Sequence, residues 1–291
     1  MGFKDTFFSE NLSINCRGRL LDLSRPAVMG ILNVTPDSFF DGGKYTDSIA
    51  IKKRVRQIMD EGADIIDIGG YSSRPGSVAV SEGEEWNRIR PALEIIRTMD
   101  MDIPISVDTF RSVIASRAVS EFQADIINDI TGGSGDPEMF DFIAGSGTPY
   151  ILMHMQGTPE TMQKEPSYDD VVDEVLDFLQ ERSSELRKRG ALDIIIDPGF
   201  GFGKTVTHNY QLLSALEVFT ALEMPVLAGI SRKSMVYHFL EVRPEDSLNG
   251  TAALHMYALV KGARILRVHD VKEAVEVKKL FEKLYLEEGK V

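Results

Sequence analysis

Cysteine is nearly absent from this chain: Cys16 stands alone among 291 residues. A single thiol excludes an internal disulfide framework and a thiolate zinc cluster. It fits a reducing compartment, so the expected location is the cytoplasm. Positive charge is also scarce. Lys and Arg total 32 against 45 Asp and Glu, giving a net charge of −13 and a pI near 4.9. Nucleic acid and anionic membranes both need a basic face, so neither is expected as a partner. No apolar run reaches the roughly 20 residues of a membrane span. The N-terminal segment, with Lys4, Asp5 and Glu10, has no apolar core of a signal peptide. The five histidines are scattered and lack Cys or His partners at ligand spacing, which excludes a transition-metal centre. The segment GFGFGKT, residues 199–205, approaches a phosphate loop, but G-x-x-x-x-G-K-[ST] needs glycine where Pro198 stands.

What is present is a repeated unit, clearest in DIIIDPGFGFGK, residues 193–204. Three isoleucines form a run too short for a helix and apolar throughout, as suits a strand buried on both faces. The run ends on Asp197, and Pro198 with alternating glycines then breaks the chain. The same sequence of apolar strand, polar residue, loop and amphipathic helix recurs. Strands are predicted over 27–32, 65–68, 103–107, 124–127, 150–153, 194–196, 225–228 and 265–268. Helices are predicted between them, with Gly62 capping the first and a Ser81/Glu84 capping box on the second. Pro91 predicts a kink in that second helix. Ser167 is the expected cap of a long helix that Gly190 stops, and a helix over 208–219 follows the 194–196 strand. Residues 12–23 read as two short strands about an Arg17-Gly18 turn, a hairpin placed to close one end. Eight strand–helix units predict an α/β fold, a (β/α)₈ TIM barrel with an N-terminal β-hairpin. A doubly wound sheet would use fewer strands and carry a dinucleotide fingerprint after the first, which is absent. The expected organisation is one domain over 1–291, with the hairpin in 1–23 and the eight units in 27–286.

In such a barrel the C-terminal ends of the strands converge on one mouth. The groups placed there are Asn33, the Ser73-Arg74 loop, Asp108, Asn128, His154, Asp197, Lys233, Arg267 and His269. Singly, an Asp after a strand is often a helix cap, and a lone His is more often structural than a ligand. Together they form a pattern. Asp108, Asn128, Asp197 and Lys233 suit a flat nitrogen heterocycle with donors on one edge and acceptors on the other. Arg74, Arg267 and His269 suit a phosphate-like group, and the last strands of a barrel are a common phosphate site. A hard cation such as Mg²⁺, held by substrate phosphates with an oxygen from Asn33, is compatible with this set. Phe200 and Phe202 read equally as core or as pocket wall.

At these residues the chain closely resembles the dihydropteroate synthase family. The matching segments are MGILNVTPDSFFDGG (29–43), GGYSSRPG (69–76), SVDT (106–109), INDITGG (127–133), LMHMQGTP (152–159), DPGFGFGK (197–204), GISRKS (229–234), NGTAA (249–253) and RVHD (267–270). The resemblance implies a barrel enzyme, a transferase that joins 6-hydroxymethyl-7,8-dihydropterin pyrophosphate to 4-aminobenzoate and releases pyrophosphate. It implies that Asp108, Asn128, Met153, Asp197, Phe200 and Lys233 hold the pterin. Asn33, Ser73, Arg74, Arg267 and His269 would hold pyrophosphate, with Asn33 also a ligand of Mg²⁺. Phe39, Ser73, Pro75, Phe200, Lys233 and Ser234 would surround aminobenzoate. Asp108, Asp197, Lys233, Arg267 and His269 would carry the catalysis, through departure of pyrophosphate before amine attack. The loops 35–45 and 71–77 would close over the site, and the protein would be a homodimer, paired through its last two helices.

The chain departs from the family pattern in three places. Tyr71 stands where an acid is usual, Ser73 where threonine touches aminobenzoate, and Phe40 where a small polar residue is common. These changes bear on aminobenzoate and on sulfonamides that mimic it, while the pterin and pyrophosphate residues are intact. A corrinoid-linked methyltransferase on a similar barrel would have no use for the pyrophosphate set. A non-catalytic pterin-binding protein is the other alternative.

Overall fold

The computed structural model describes residues 12–35, 44–71, 80–99, 102–158, 161–162 and 166–286. Eight parallel strands close into a barrel in the order β10-β3-β4-β5-β6-β7-β8-β9. They are β3 (Ala27–Asn33), β4 (Ile65–Gly69), β5 (Ile105–Asp108), β6 (Ile126–Asp129), β7 (Tyr150–Met153), β8 (Ile194–Asp197), β9 (Val226–Ala228) and β10 (Ala263–Val268). Helices lie between successive strands: α1 (Lys44–Asp60), α2 (Glu82–Thr98), α3 (Ser112–Phe122), α4 (Met139–Ser146), α5 (Val171–Arg189), α6 (Val206–Ser214), α7 (Ser234–Tyr237) and α8 (Leu248–Val260). The last element is α9 (Val271–Tyr285). Ahead of the barrel, β1 (Ser13–Cys16) and β2 (Arg19–Asp22) pair as an antiparallel hairpin.

Side chains alternate between the two faces of a strand, and the core follows that period. Ile66, Ile68, Ile105, Val107 and Ile127 point outward and join the helix-facing cluster with Trp86, Ile89 and Leu93. Met29, Ile65, Ile126, Ile151, Ile195, Leu227 and Ile265 point inward and fill the barrel with Ile14, Cys16 and Leu23 of the hairpin segment. This inner layer is an apolar floor, and the hairpin closes the barrel below it, as expected. Arg17 pins the hairpin by donating to Asp125 Oδ1 at 2.6 Å and to Gln123 Oε1 at 2.8 Å. Burial pushes the Cys16 thiol up to about 12, so it stays protonated and unreactive.

Several element boundaries differ from expectation. Helix α5 is capped by Asp170, whose carboxylate accepts from Val172 N and Asp173 N, and not by Ser167. Ser167 is instead held by the Gln156 side chain, which contacts its N–H and its carbonyl. Two acceptor bonds to successive first-turn amides make Asp170 the better cap. Helix α6 ends at Ser214, short of the predicted 219, and is followed by a 3-10 helix, Leu216–Leu222. Ser81 caps α2 by accepting from Glu84 N, but the Glu84 carboxylate turns to Arg88, so the expected box is half formed. Pro91 sits inside an uninterrupted α2.

Candidate active site

Two residues above the apolar floor, the same inward period brings a different set of side chains. From Ile65, Ile126, Ile151, Ile195, Leu227 and Ile265 it leads to Asp67, Asn128, Met153, Asp197, Gly229 and Arg267. The strand register aligns them: Asp108 pairs with Asn128 across β5 and β6, and Met153 with Asp197 across β7 and β8. The polar layer is therefore a geometric consequence of closing a barrel in which β3, β5, β6 and β8 end on a polar residue and β4 and β10 carry one nearby.

The centre of the layer is Arg267. Its Nε donates to Asp67 Oδ2 at 2.7 Å, and its Nη2 lies 2.7 Å from both Asp67 Oδ2 and Asp108 Oδ2. Asn128 Nδ2 donates to the same Asp67 oxygen at 3.3 Å. Burial works against the guanidinium charge, but Asp67 and Asp108 more than restore it, so Arg267 stays protonated. Burial pushes the Asp108 carboxyl up to about 7, against the pull of Arg267.

Lys233 and Asp197 face each other across a bare glycine. A Cβ built on Gly229 would lie 3.6 Å from Lys233 Nζ and 3.9 Å from Asp197 Oδ2, so a side chain there would fill the space between them. Lys233 also donates to the Phe200 carbonyl, and its Nζ stands 4.5 Å above the Phe202 ring. Burial lowers its pKa to about 8 although Asp197 pulls it up. Burial likewise raises the Asp197 carboxyl, opposed chiefly by Lys233. Asp197 Oδ1 accepts from Gly199 N at 2.7 Å.

The other expected residues are placed as follows. Asn33 adjoins Asp108 across a second bare glycine: a Cβ on Gly69 would sit 3.5 Å from Asn33 Oδ1 and 3.6 Å from Asp108 Cβ. His269 follows β10, and its N–H donates to Ser231 Oγ at 3.2 Å. Ser234 opens α7, next to Lys233. Met153 is buried against Ile130, Met162 and Phe202. Phe39, Ser73, Arg74 and Pro75 lie outside the described residues, as does Phe40 and most of both expected closing loops. The Phe200 expectation is corrected. Its ring is wholly buried in the helix-facing core, so it is Phe202, under Lys233 and 8% exposed, that borders the site. Phe200 contributes only its carbonyl.

His154 takes the structural reading. It is buried, and its Nδ1 lies 2.9 Å from Lys204 Nζ. Lys204 Nζ also donates to Gly199 O at 3.0 Å and Phe202 O at 3.1 Å, which ties the glycine loop to the end of β7. Burial and the neighbouring ammonium hold His154 at about 3, so its ring is neutral and Nδ1 accepts. Sequence reasoning missed Lys204, seen there only within a failed phosphate-loop match, and Asp67. The signal for Asp67 was available: an acid inside IIDIG, a strand that is buried along its whole length.

Comparisons with known proteins identify the family. The family model described as "Pterin binding enzyme" matches residues 29–269. The chain is 44% identical over 273 residues to Escherichia coli dihydropteroate synthase, covering 93% of this chain and 96% of that one. It superposes with a TM-score of 0.87 on Xanthomonas albilineans dihydropteroate synthase with 4-aminobenzoic acid, at 41% identity, covering 94% of this chain and 98% of the other. The same enzyme in complex with 7,8-dihydropteroate gives a TM-score of 0.83 at 39% identity, with 94% and 98% coverage. The chain belongs to the pterin-binding enzyme family, with the dihydropteroate synthases as its relatives.

Proposed function

We propose that this chain is a dihydropteroate synthase. It condenses 6-hydroxymethyl-7,8-dihydropterin pyrophosphate with 4-aminobenzoate to give 7,8-dihydropteroate and pyrophosphate. The observation that carries this reading is the joining of Asp108, Arg267, Asp67 and Asn128 into one bonded layer, with Asp197 and Lys233 beside it. The pterin lies on this layer, giving ring N–H and amino donors to Asp108 and Asp197 and accepting from Asn128 and Lys233. Arg267 and His269 receive the growing negative charge of the leaving pyrophosphate. Buried Asp197 stabilises positive charge that develops on the pterin methylene more than it stabilises the neutral ground state, which is where acceleration arises. The arylamine is nucleophilic when neutral, so no general base is assigned. Phe202 and Ser234 border the aminobenzoate side.

The donor set also fits Mg²⁺. Among the described residues no cluster of three or more His, Cys, Asp or Glu could hold a cation. Asn33 offers one amide oxygen beside Asp108, and a magnesium ion that arrives on phosphate oxygens and keeps several waters needs little more from the protein. Asn33 would hold it, and the ion would supply charge neutralisation at the leaving group. A homodimer is supported by exposed Tyr257 and Val260 on α8 and Leu280, Leu284 and Tyr285 on α9. A cytoplasmic location is supported by the single buried cysteine, and no helix among the described residues is long and apolar enough to cross a membrane.

The test is release of pyrophosphate from the pterin pyrophosphate, with and without 4-aminobenzoate and Mg²⁺. Stoichiometric dihydropteroate and pyrophosphate are expected only when all components are present; no product with all present overturns the reading. A pH dependence follows from the same site. Asp108 accepts pterin donors as a carboxylate, and its pKa is about 7; Lys233 donates as an ammonium, and its pKa is about 8. Affinity for a phosphate-free pterin is therefore expected to peak between these values and to fall on both sides. A titration by calorimetry that is flat from pH 6 to pH 9 contradicts the assignment. The raised Asp108 value also costs stability as pH rises from 3.8, where it ionises in the unfolded chain, to about 7, where it ionises in the fold.

A further inference from the structure

We infer that Arg267 couples the pterin and pyrophosphate subsites, and that Asp67 is the positioning residue that holds it while it changes partners. The inference rests on the function proposed above and adds a linkage between its two subsites. Arg267 Nη2 is shared between Asp67 Oδ2 and Asp108 Oδ2, 2.7 Å from each. The two carboxylates differ in setting. Asp67 is wholly buried inside β4, whereas the Asp108 side chain is 18% exposed at the rim. One of the two Asp108 oxygens, Oδ2, is therefore already taken by the protein's own cation, and a pterin donor that takes Oδ2 competes with Arg267 for it.

The structure offers a second place for that cation. Asp67 Oδ1 is buried and has no hydrogen-bond partner among the described residues. At present Nε and Nη2 both address a single oxygen of Asp67, Oδ2. Moving Nη2 onto Oδ1 would convert this into the parallel two-oxygen fork that Arg and carboxylate prefer. A buried carboxylate oxygen left without a donor is costly, so the vacant atom favours the move once another donor takes Asp108. Asp67 also pairs in register with Ser106, whose hydroxyl is likewise buried without a partner among the described residues.

The consequence is cooperative binding. Arg267 Nη1 has no hydrogen-bond partner among the described residues, so its donors are available to an anion. While Arg267 is shared with Asp108, part of its charge is spent on that carboxylate. A pterin ring that occupies Asp108 releases Arg267 onto Asp67 and leaves its outward donors and charge to pyrophosphate. By linkage, pyrophosphate must then strengthen pterin binding by the same factor.

The test is calorimetric titration of the whole protein with Mg²⁺-pyrophosphate, with and without saturating 6-hydroxymethylpterin, which carries no phosphate. The ring ligand is expected to tighten pyrophosphate binding about 5- to 50-fold. Asp108→Asn is expected to tighten pyrophosphate binding without the ring, because Arg267 is no longer shared with a charge. Asp67→Asn is expected to weaken pyrophosphate and to reduce the coupling below about twofold while the ring still binds. A purely structural role for Asp67 would weaken both ligands and leave their ratio unchanged. Two ligands that bind the unaltered protein independently overturn this inference and leave the proposed function standing. Failure of either ligand to bind the unaltered protein overturns both.

Discussion

Replacing Lys233 with methionine is expected to lower kcat/KM for the pterin pyrophosphate by about a hundredfold to a thousandfold. Methionine keeps the length and apolar stem of lysine and removes only the ammonium. That ammonium stands opposite Asp197 across the bare Gly229, and it is held there by the Phe200 carbonyl and the face of Phe202. Asp197 is 4% exposed and, among the described residues, would keep only the Gly199 N–H as a close donor. Removing the Lys233 ammonium takes away the largest charge that opposes burial of Asp197, ahead of Arg267 and Lys204, so an Asp197 anion would be held less well. Burial already raises the Asp197 carboxyl, so it takes up a proton instead. The pterin then loses a donor and an acceptor at once, and the developing cation loses its counter-charge. Both a higher KM and a lower kcat are expected in steady-state kinetics, with a melting temperature within a few degrees of the parent. Unaltered kcat/KM in a folded variant contradicts the role assigned to Lys233.

The parts of this site that the sequence discloses are those that lie at strand ends. Asp108, Asn128, Asp197 and Arg267 each sit at or near the close of a short apolar run, and strand closure in a barrel is enough to bring them to one rim. Asp67 ends nothing. It lies mid-strand, and its meaning depends on Arg267, 200 positions away in the chain and next but one in the barrel. Phe200 and Phe202 occupy near-identical contexts between glycines, so no local rule separates them. The left-handed glycines at 199, 201 and 203 decide which ring turns into the core and which stays under Lys233. Lys204 was hidden for the opposite reason. Its local context suggested a phosphate loop, whereas its three short contacts are to His154 and to carbonyls of its own loop.

That loop carries the second large effect. Gly199→Ala is expected to destabilise the protein by about 3–5 kcal/mol and to remove pterin binding. Gly199 has φ of +73°, and a Cβ there would lie 1.9 Å from the His154 carbonyl oxygen. The obstacle is backbone at the end of β7, not a flexible side chain, so either the barrel rim or the glycine loop must move. Movement of the loop displaces the Gly199 and Phe202 carbonyls that Lys204 binds, and with them the Phe200 carbonyl that Lys233 binds. Gly147→Ala is the matched control. It also has a left-handed backbone, φ +67°, but a Cβ there meets nothing within 4 Å. Its cost is the backbone strain alone, about 1–2 kcal/mol, with pterin affinity unchanged. Urea unfolding and a pterin titration on both variants check the contrast. Equal costs at the two glycines would mean that backbone conformation alone, and not contact between loop and barrel rim, fixes the place of Lys233. The difference between them isolates the contact, because the two positions share the strained φ and differ in what stands beside it.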